Sequence, residues 1–158
     1  MAERLGDKLI EQIGHAAELY HRLVLLVAPA GAGKTAALQD AQVRTEATLL
    51  NVNLELSRWM LDLTERQRVL QVPRLLAEIV NRVDSDVVLL DNIELLFDVS
   101  LKQDPLRLLQ VLSRKKTVIA AWSGLIDNEH VVYATPDHPE YRRYPIQDVL
   151  VVAPETAA

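Results

Sequence analysis

The sequence has 158 residues, of which 49% are hydrophobic and 25% charged, and its formal net charge is −5. This balance is typical of a globular protein that can bury a core, and the acidic excess argues against general nucleic-acid binding. Cysteine is absent, which excludes disulfides and cysteine-ligated zinc. No apolar run approaches the ~20 residues of a membrane helix, and the charged N-terminus does not have the pattern of a signal peptide.

Hydrophobic spacing predicts alternating helices and strands in the first half of the chain. Apolar residues at helical spacing indicate an amphipathic N-terminal helix, and a uniformly apolar run then indicates a buried strand. Pro73 is interpreted as lying in the first turn of a helix, where a missing N–H costs little. The predicted elements are helices over residues 4–20, 33–44 and within 54–83, and strands over 23–27 and 48–53.

The second half continues the alternation and ends in a proline-rich segment and a last strand. The segment 135–145 contains three prolines and is predicted to be a loop with at most one helical turn. The other predicted elements are strands over 86–90, 117–122 and 148–152, a short edge strand or hairpin arm over 131–134, and a helix over 105–112. The whole pattern predicts a single α/β domain over residues 1–158. Its three-layer core, over 23–152, is expected to contain a mainly parallel five-stranded sheet.

A glycine-containing loop follows the first predicted strand, and Ala28 to Thr35 read A-P-A-G-A-G-K-T. This is the pattern of a Walker A phosphate-binding loop, in which backbone N–H groups and a helix N-terminus surround an anion. Lys34 is predicted to reach the β- and γ-phosphates of ATP, and Thr35 to ligate Mg²⁺. The predicted nucleotide-binding residues are Ala30, Gly31, Ala32, Gly33, Lys34, Thr35 and Ala36. Ala28 replaces the glycine of the full pattern and is expected to resist a left-handed backbone angle there.

A second motif, which contains an acidic residue, lies at the end of the predicted strand 86–90. The residues V-V-L-L-D place Asp91 at the carboxyl end of an apolar strand, which is the Walker B pattern. In a P-loop fold that carboxylate lies beside the phosphate loop, where it can hold Mg²⁺ through water. The alternative is that Asp91 only caps a following helix.

Hydrolysis of ATP also needs a base or a water-positioning group near the γ-phosphate. The position directly after Asp91 is Asn92, which can orient a water molecule but cannot accept its proton. The nearest acid is Glu94, which can act only if the chain turns early. The alternative for Glu94 is a first-turn acid favoured by the helix dipole.

Taken in order, these segments resemble the additional-strand P-loop ATPases near the AAA+ class over about residues 23–152, without the helical lid domain. Four segments together resemble the BrxF family, the small P-loop proteins of type III BREX bacteriophage-defence systems. They are the phosphate loop, N-L-E-L-S at 53–57, L-L-D-N-I-E-L-L-F at 89–97 and H-P-E-Y-R-R-Y at 138–144. The resemblance implies a bacterial, cytoplasmic protein that acts as a homo-oligomer and with other BREX proteins.

The resemblance also implies roles for three further residues. Ser123 follows the predicted strand 117–122, at the place of the polar sensor residue that contacts the γ-phosphate or the attacking water. Arg142 and Arg143 precede the last strand, where an arginine finger enters a neighbouring subunit's site, and Arg143 is the favoured one. The alternatives are an ordinary turn residue for Ser123 and two surface arginines in a loop.

The leading hypothesis is therefore a Mg·ATP-binding ATPase that acts slowly because Asn92 replaces the usual glutamate. A nucleotide-dependent switch or assembly module with little or no hydrolysis is the alternative. A small-molecule kinase ranks lower, because Asn51-Val52-Asn53 offers no acid where such enzymes have one. The basic run 114–116 is interpreted as a capped helix end, so charge does not indicate DNA contact. ATP is favoured over GTP because the sequence has no Asn-Lys-x-Asp motif.

Overall fold

The computed structural model describes residues 2–147 and 149–154, with side chains from residue 5 onward. The helices of this part are α1 (Ala2–Ala16), α2 (Lys34–Thr45), α3 (Val52–Met60), α4 (Glu65–Asn81) and α5 (Pro105–Leu112). The strands are β1 (Leu23–Ala28), β2 (Thr48–Asn51), β3 (Val87–Asp91), β4 (Thr117–Asp127), β5 (His130–Tyr133), β6 (Arg142–Pro145) and β7 (Leu150–Val152). Two 3₁₀ turns, Glu94–Phe97 and Val99–Leu101, lie between β3 and α5.

The sheet has seven strands, of which five are parallel in the order β2-β3-β4-β1-β7, while β5 and β6 pair antiparallel beyond β4. The predicted α/β fold with a central, mainly parallel sheet is confirmed. β4 lies between β1 and β3, which is the additional strand expected from the resemblance. The described residues, 2–147 and 149–154, contain no helical lid, and none of their helices has the length and apolar character that a membrane span requires.

Alternating side chains of the strands build a separate core on each face of the sheet. Leu23, Leu25 and Val27 of β1 pack in the larger core, beneath α3, α4 and α5. Val24 and Leu26 point the opposite way, into the core formed with α1 and α2. Both faces of each central strand are buried, which explains why these strands are continuous apolar runs.

The N-terminal helix is shorter at its C-terminal end than predicted. α1 ends at Ala16 rather than at residue 20, and the N–H of Leu19 then donates to the Ala16 carbonyl in a turn. Tyr20 is 75% exposed and does not continue the buried stripe. The chain must reverse here to enter β1, where the N–H of Arg22 donates to the Ser113 carbonyl.

Pro73 lies in the interior of α4, and its assignment to the first turn of a helix is wrong. A proline there leaves the carbonyl four residues earlier without its helical donor. That carbonyl belongs to Val69, and it accepts a hydrogen bond from Gln103 Nε2 at 2.9 Å. The true start of the helix is a capping box at Thr64 and Gln67.

The segment between residues 122 and 145 contains more strand than predicted. β4 continues five residues past Trp122 and pairs with β5, and β6 extends this hairpin where only a loop was expected. Prolines are tolerated because β6 is an edge strand with Pro145 at its end. Gly124 is required in β4, since a Cβ there would overlap the carbonyl oxygen of Val132.

An aromatic cluster packs under the hairpin. Phe97 stacks on Tyr133 with ring centroids 3.6 Å apart, and Trp122 meets Phe97 edge to face at 5.1 Å. Tyr144 of β6 contacts Trp122 and donates a 2.7 Å hydrogen bond to Asp104. These contacts hold the hairpin against the chain segment between β3 and α5.

The last strand is seen as Leu150–Val152, and Asp148 of the predicted strand lies outside the described residues.

Candidate functional site

The phosphate-loop motif leaves the sheet at the carboxyl end of β1 and ends at α2. Gly31 and Gly33 have left-handed backbones, with φ of 81° and 94°, which an L-residue with a Cβ adopts only with strain. Ala28 is the last residue of β1, and its φ is not positive, so the expected resistance of alanine at this position is not found. The N-terminus of α2 has no side-chain cap, which leaves its first N–H groups free to face an anion.

A cavity of about 290 Å³ lies at this edge of the sheet. It brings together most of the predicted site residues from three separate stretches of chain: the loop with the start of α2, the end of β3 with the turn after it, and β4. The lining residues are Ala30, Gly31, Gly33, Lys34, Thr35, Ala36, Asp91, Asn92, Glu94 and Ser123. Ala32, predicted to bind nucleotide, is not among them, and its N–H donates to the Pro29 carbonyl within the loop.

Lys34 is the cation of the cavity, and only 8% of it is exposed. Its ammonium donates 2.9 Å hydrogen bonds to the carbonyl oxygens of Ala28 and Pro29, so the loop holds its own lysine in place. Burial lowers the pKa of Lys34, and the nearby carboxylates of Glu94 and Asp91 oppose that shift. An incoming polyphosphate would supply further negative charge to this buried ammonium.

Thr35 and Asp91 form an oxygen pair that lines the same cavity. Thr35 Oγ1 donates to Asp91 Oδ2 at 2.7 Å, and the other carboxylate oxygen, Oδ1, accepts from the N–H of Asn92 at 2.9 Å. Magnesium prefers hard oxygen ligands at about 2.0–2.1 Å, so neighbouring ligands of one ion lie about 3 Å apart. The chemistry and spacing of the pair fit Mg²⁺, with the remaining positions left to phosphate oxygens and water. Among the described residues no cluster of three His, Cys, Asp or Glu side chains offers another metal site.

Glu94 reaches the cavity because the chain turns immediately after β3. Asn92 has a left-handed backbone with φ of 52°, and the 3₁₀ turn Glu94–Phe97 starts two residues later. Burial is the main reason that the pKa of Glu94 is raised, with a contribution from Asp91 and a smaller opposing effect of Lys34. A carboxylate with a raised pKa beside a phosphate site is suited to accept a proton.

Ser123 is the β4 residue beside the start of the phosphate loop. It is half-buried, lines the cavity and is in register with Ala28 of β1. The strand continues beyond it, so the alternative of an ordinary turn residue is excluded. Its side chain therefore lies at the cavity, beside the start of the phosphate loop.

The two arginines of β6 lie outside the cavity of their own chain. Arg142 is half-buried and donates a 2.9 Å hydrogen bond to the Gln103 carbonyl, which gives it a structural partner. Arg143 alternates to the other side of the strand and is exposed, and its side chain has no hydrogen bond or ion pair within the described residues. Of the two, only Arg143 is free to extend toward another molecule.

Sequence reasoning missed Asn53, which does not line the cavity but bonds to the backbone of the segment that carries Glu94. Its backbone N–H donates to the Asn92 carbonyl at 2.9 Å, and its side-chain Oδ1 accepts from the N–H of Leu95 at 2.9 Å. The available signal was its position two residues after β2, because polar residues at the carboxyl edge of a parallel sheet gather around the binding site.

Comparison of the sequence with protein-family models and with curated proteins finds no match in either set.

Proposed function

We propose that the chain is a Mg·ATP-binding P-loop ATPase module. The observation that carries this proposal is the arrangement of three groups around one cavity: the buried Lys34 ammonium, the Thr35–Asp91 oxygen pair and the Glu94 carboxylate. A cation, a magnesium-type ligand pair and a base are the parts that phosphoryl transfer requires. A purely structural role would not gather these charged groups in a half-enclosed space.

In the proposed reaction Lys34 and the loop N–H groups bind the phosphates of ATP. Thr35 and Asp91 would hold Mg²⁺, which would supply positive charge to the phosphates of ATP. Glu94 accepts a proton from a water molecule as that water attacks the γ-phosphorus, and the bond from this phosphorus to the bridging β–γ oxygen breaks to release ADP. Ser123 hydrogen-bonds the γ-phosphate or the water. An arginine of a neighbouring subunit, Arg143, completes the charge stabilisation.

Binding calorimetry with and without Mg²⁺ tests the proposal. Wild type is expected to bind ATP more tightly with Mg²⁺ than with a chelator, and Thr35→Ala is expected to lose most of that gain. Thr45→Ala is the matched control, because it removes a threonine hydroxyl at the far end of the same helix, where it donates to Ala41. A wild type that does not bind ATP, or a Thr35→Ala variant with the full gain, contradicts the proposal.

A nucleotide-dependent switch is the second candidate, and Asn92 is the observation that favours it. The residue directly after Asp91 carries an amide instead of an acid, which would slow proton removal from water. This candidate predicts ATP binding without phosphate release, together with a change in oligomer size measured by light scattering.

The resemblance to the BrxF family extends the proposal to the cell. In this view the module is cytoplasmic and acts with itself and with other proteins of a type III BREX phage-defence system. In a host that carries such a system with this chain, Lys34→Ala is expected to abolish protection against phage, measured as plating efficiency. The exposed-lysine control Lys115→Ala is expected to retain protection. Protection that survives Lys34→Ala counts against a role for ATP binding in defence.

A further inference from the structure

Asn53 connects the start of α3 to the turn that carries Glu94. Its N–H donates to the Asn92 carbonyl, and its Oδ1 accepts from the Leu95 N–H, both at 2.9 Å. One residue thus bonds the two ends of the segment 92–95, with Glu94 between them. No other side chain of the described residues is seen bonded to the Leu95 N–H.

The segment 92–95 needs the hydrogen bonds with Asn53 because its own backbone conformation is unfavourable. Asn92 has a left-handed backbone, and the 3₁₀ turn that follows leaves its first N–H groups without partners inside the turn. The Leu95 N–H is one of these donors, and Asn53 supplies the acceptor from a different element. Asn53 is itself fixed, because Val52 beside it is fully buried and α3 packs on the larger core.

Resting on the proposed ATPase function, we infer that Asn53 is a positioning residue that holds the segment 92–95 so that Glu94 faces the attacking water. The carboxamide of Asn53 is not among the groups that line the cavity and acts only through the backbone of its neighbours. Loss of the bond from Leu95 would let the turn relax and displace the Glu94 carboxylate, while the phosphate loop and the Thr35–Asp91 pair stay in place.

Asn51 provides a matched control for this inference. It lies two residues earlier, and its Oδ1 accepts a 3.1 Å hydrogen bond from the Leu54 N–H as the cap of α3. Asn51→Ala and Asn53→Ala therefore each remove one asparagine-to-backbone bond at the same β2–α3 junction. Only the second loses a bond to the segment with Glu94.

The experiment measures turnover of Mg·ATP and the Kd of a non-hydrolysable ATP analogue for wild type, Asn53→Ala, Asn53→Asp and Asn51→Ala. Asn53→Ala is expected to lower turnover by about 10-fold or more, since small displacements of a catalytic group are costly. The Kd for the analogue should stay within about threefold of wild type, because ground-state binding is untouched. Asn53→Asp keeps an acceptor oxygen and should fall between Asn53→Ala and wild type. Asn51→Ala should match wild type.

Amide hydrogen exchange gives a readout that does not depend on activity. The Leu95 amide is expected to lose protection in Asn53→Ala and to keep it in Asn51→Ala. If Asn53→Ala does not fold, Asn53→Gln, which moves the carboxamide by one methylene, replaces it with the same expected direction.

The inference is overturned if Asn53→Ala turns over ATP like wild type, or if Asn51→Ala loses as much turnover. It is also overturned if Leu95 protection is unchanged, or if wild type binds the analogue but shows no turnover. A wild type that fails to bind the analogue contradicts the proposed function itself, so the two failures are distinguishable.

Discussion

At the scale of single residues, charged groups of the cavity are buried, and burial disfavours their ionised forms. The pKa of Lys34 is lowered and that of Glu94 is raised, in each case chiefly by burial. Uncompensated burial of charge costs stability, and such sites are often where a protein departs from its most stable sequence. Substitution of such a site residue is therefore expected to lower activity and to raise the free energy of unfolding.

Glu94→Gln is expected to abolish phosphate release while raising the free energy of unfolding at pH 7. The folded state raises the pKa of Glu94 above its ordinary value of 4.5, so ionised Glu94 opposes folding at neutral pH, and this effect disappears below pH 4.5. If Glu94 is the base, turnover should fall by about 100-fold or more. Denaturant titrations at pH 7 and pH 4 check the stability difference.

Asn92→Gly is the control for Glu94→Gln. Glycine accepts the left-handed backbone of this position and keeps the N–H and carbonyl that bond to Asp91 and Asn53. Turnover close to that of wild type is expected. The reverse pattern, with Asn92→Gly inactive and Glu94→Gln active, would assign water positioning to the Asn92 amide instead.

Exchanges between alanine and glycine in the phosphate-loop motif are expected to affect ATP binding at position 33 but not at position 28. Gly33→Ala forces alanine into a left-handed conformation, at a cost of about 1–2 kcal/mol, and should weaken ATP binding. Ala28→Gly restores the residue of the full motif but lies in β1, where glycine costs about 0.5–1 kcal/mol and should bring no gain in ATP affinity. Thermal unfolding and calorimetry on both variants check this, and tighter ATP binding by Ala28→Gly would show that the position is strained.

The motif residues Lys34, Thr35 and Asp91 could be predicted from sequence because short-range spacing fixes their places. The choice between Asn92 and Glu94 could not. Both residues line the cavity, and the placement of their side chains depends on the left-handed backbone at Asn92 and the early 3₁₀ turn. Asn53, 39 residues earlier than Asn92, bonds to both ends of this segment. Sequence spacing contains no information about such long-range hydrogen bonds.

At the scale of elements, helix α4 contains a proline in its interior, and a side chain distant in sequence replaces the hydrogen bond that this proline removes. Pro73 removes one helical donor, and Gln103 replaces it at the Val69 carbonyl. Gln103 Nε2 also donates to the Leu101 carbonyl, so the substitute donor is fixed by its own loop. This contact ties α4 to the segment that leads into α5.

A double-mutant cycle on Pro73 and Gln103 tests this compensation. Gln103→Ala alone is expected to lower the free energy of unfolding by about 1–3 kcal/mol, since it leaves the Val69 carbonyl without a donor. In a Pro73→Ala background the helical N–H returns, and the same change should cost less. Chemical denaturation of the four proteins measures the coupling, and equal costs in both backgrounds would contradict the account.

Sequence periodicity predicted which elements exist more reliably than where they end. Strands β1 and β3 and helix α5 lie within one residue of their expected positions, because uniform apolar runs or a proline at the helix start define them. α1 ends early because the chain reverses into β1, and α4 continues through Pro73 because Gln103 bonds to the Val69 carbonyl. The strand β6 was missed because prolines favour loops locally, whereas pairing with β5 is a long-range event.

At the scale of the whole molecule, the topology places every cavity residue at the carboxyl edge of the parallel sheet. β4 between β1 and β3 brings Ser123 beside the loop, and its hairpin extension with β5 and β6 carries Arg143 on an exposed strand. Arg143 lies outside the cavity of its own chain, so any role in the reaction requires a second molecule.

Mixing two inactive variants tests whether subunits share a site. Arg143→Ala is expected to bind ATP but to lose turnover by about 100-fold or more, and Lys34→Ala to lose turnover as well. An equimolar mixture should regain turnover, because some interfaces combine an intact Lys34 with an intact Arg143. Phosphate release is measured over a range of protein concentrations. A mixture that stays inactive, or an Arg143→Ala protein that is fully active, rules out this arginine as a finger.

Phosphate release at saturating Mg·ATP by wild type and Lys34→Ala tests the central claim most directly, with the exposed lysine variant Lys115→Ala as the control. In the proposed function phosphate binding depends on the buried Lys34 ammonium, so Lys34→Ala should release phosphate no faster than buffer. Lys115→Ala should equal wild type. Wild-type turnover that persists unchanged in Lys34→Ala, or a wild type no faster than buffer, would contradict the assignment of this chain as an ATPase.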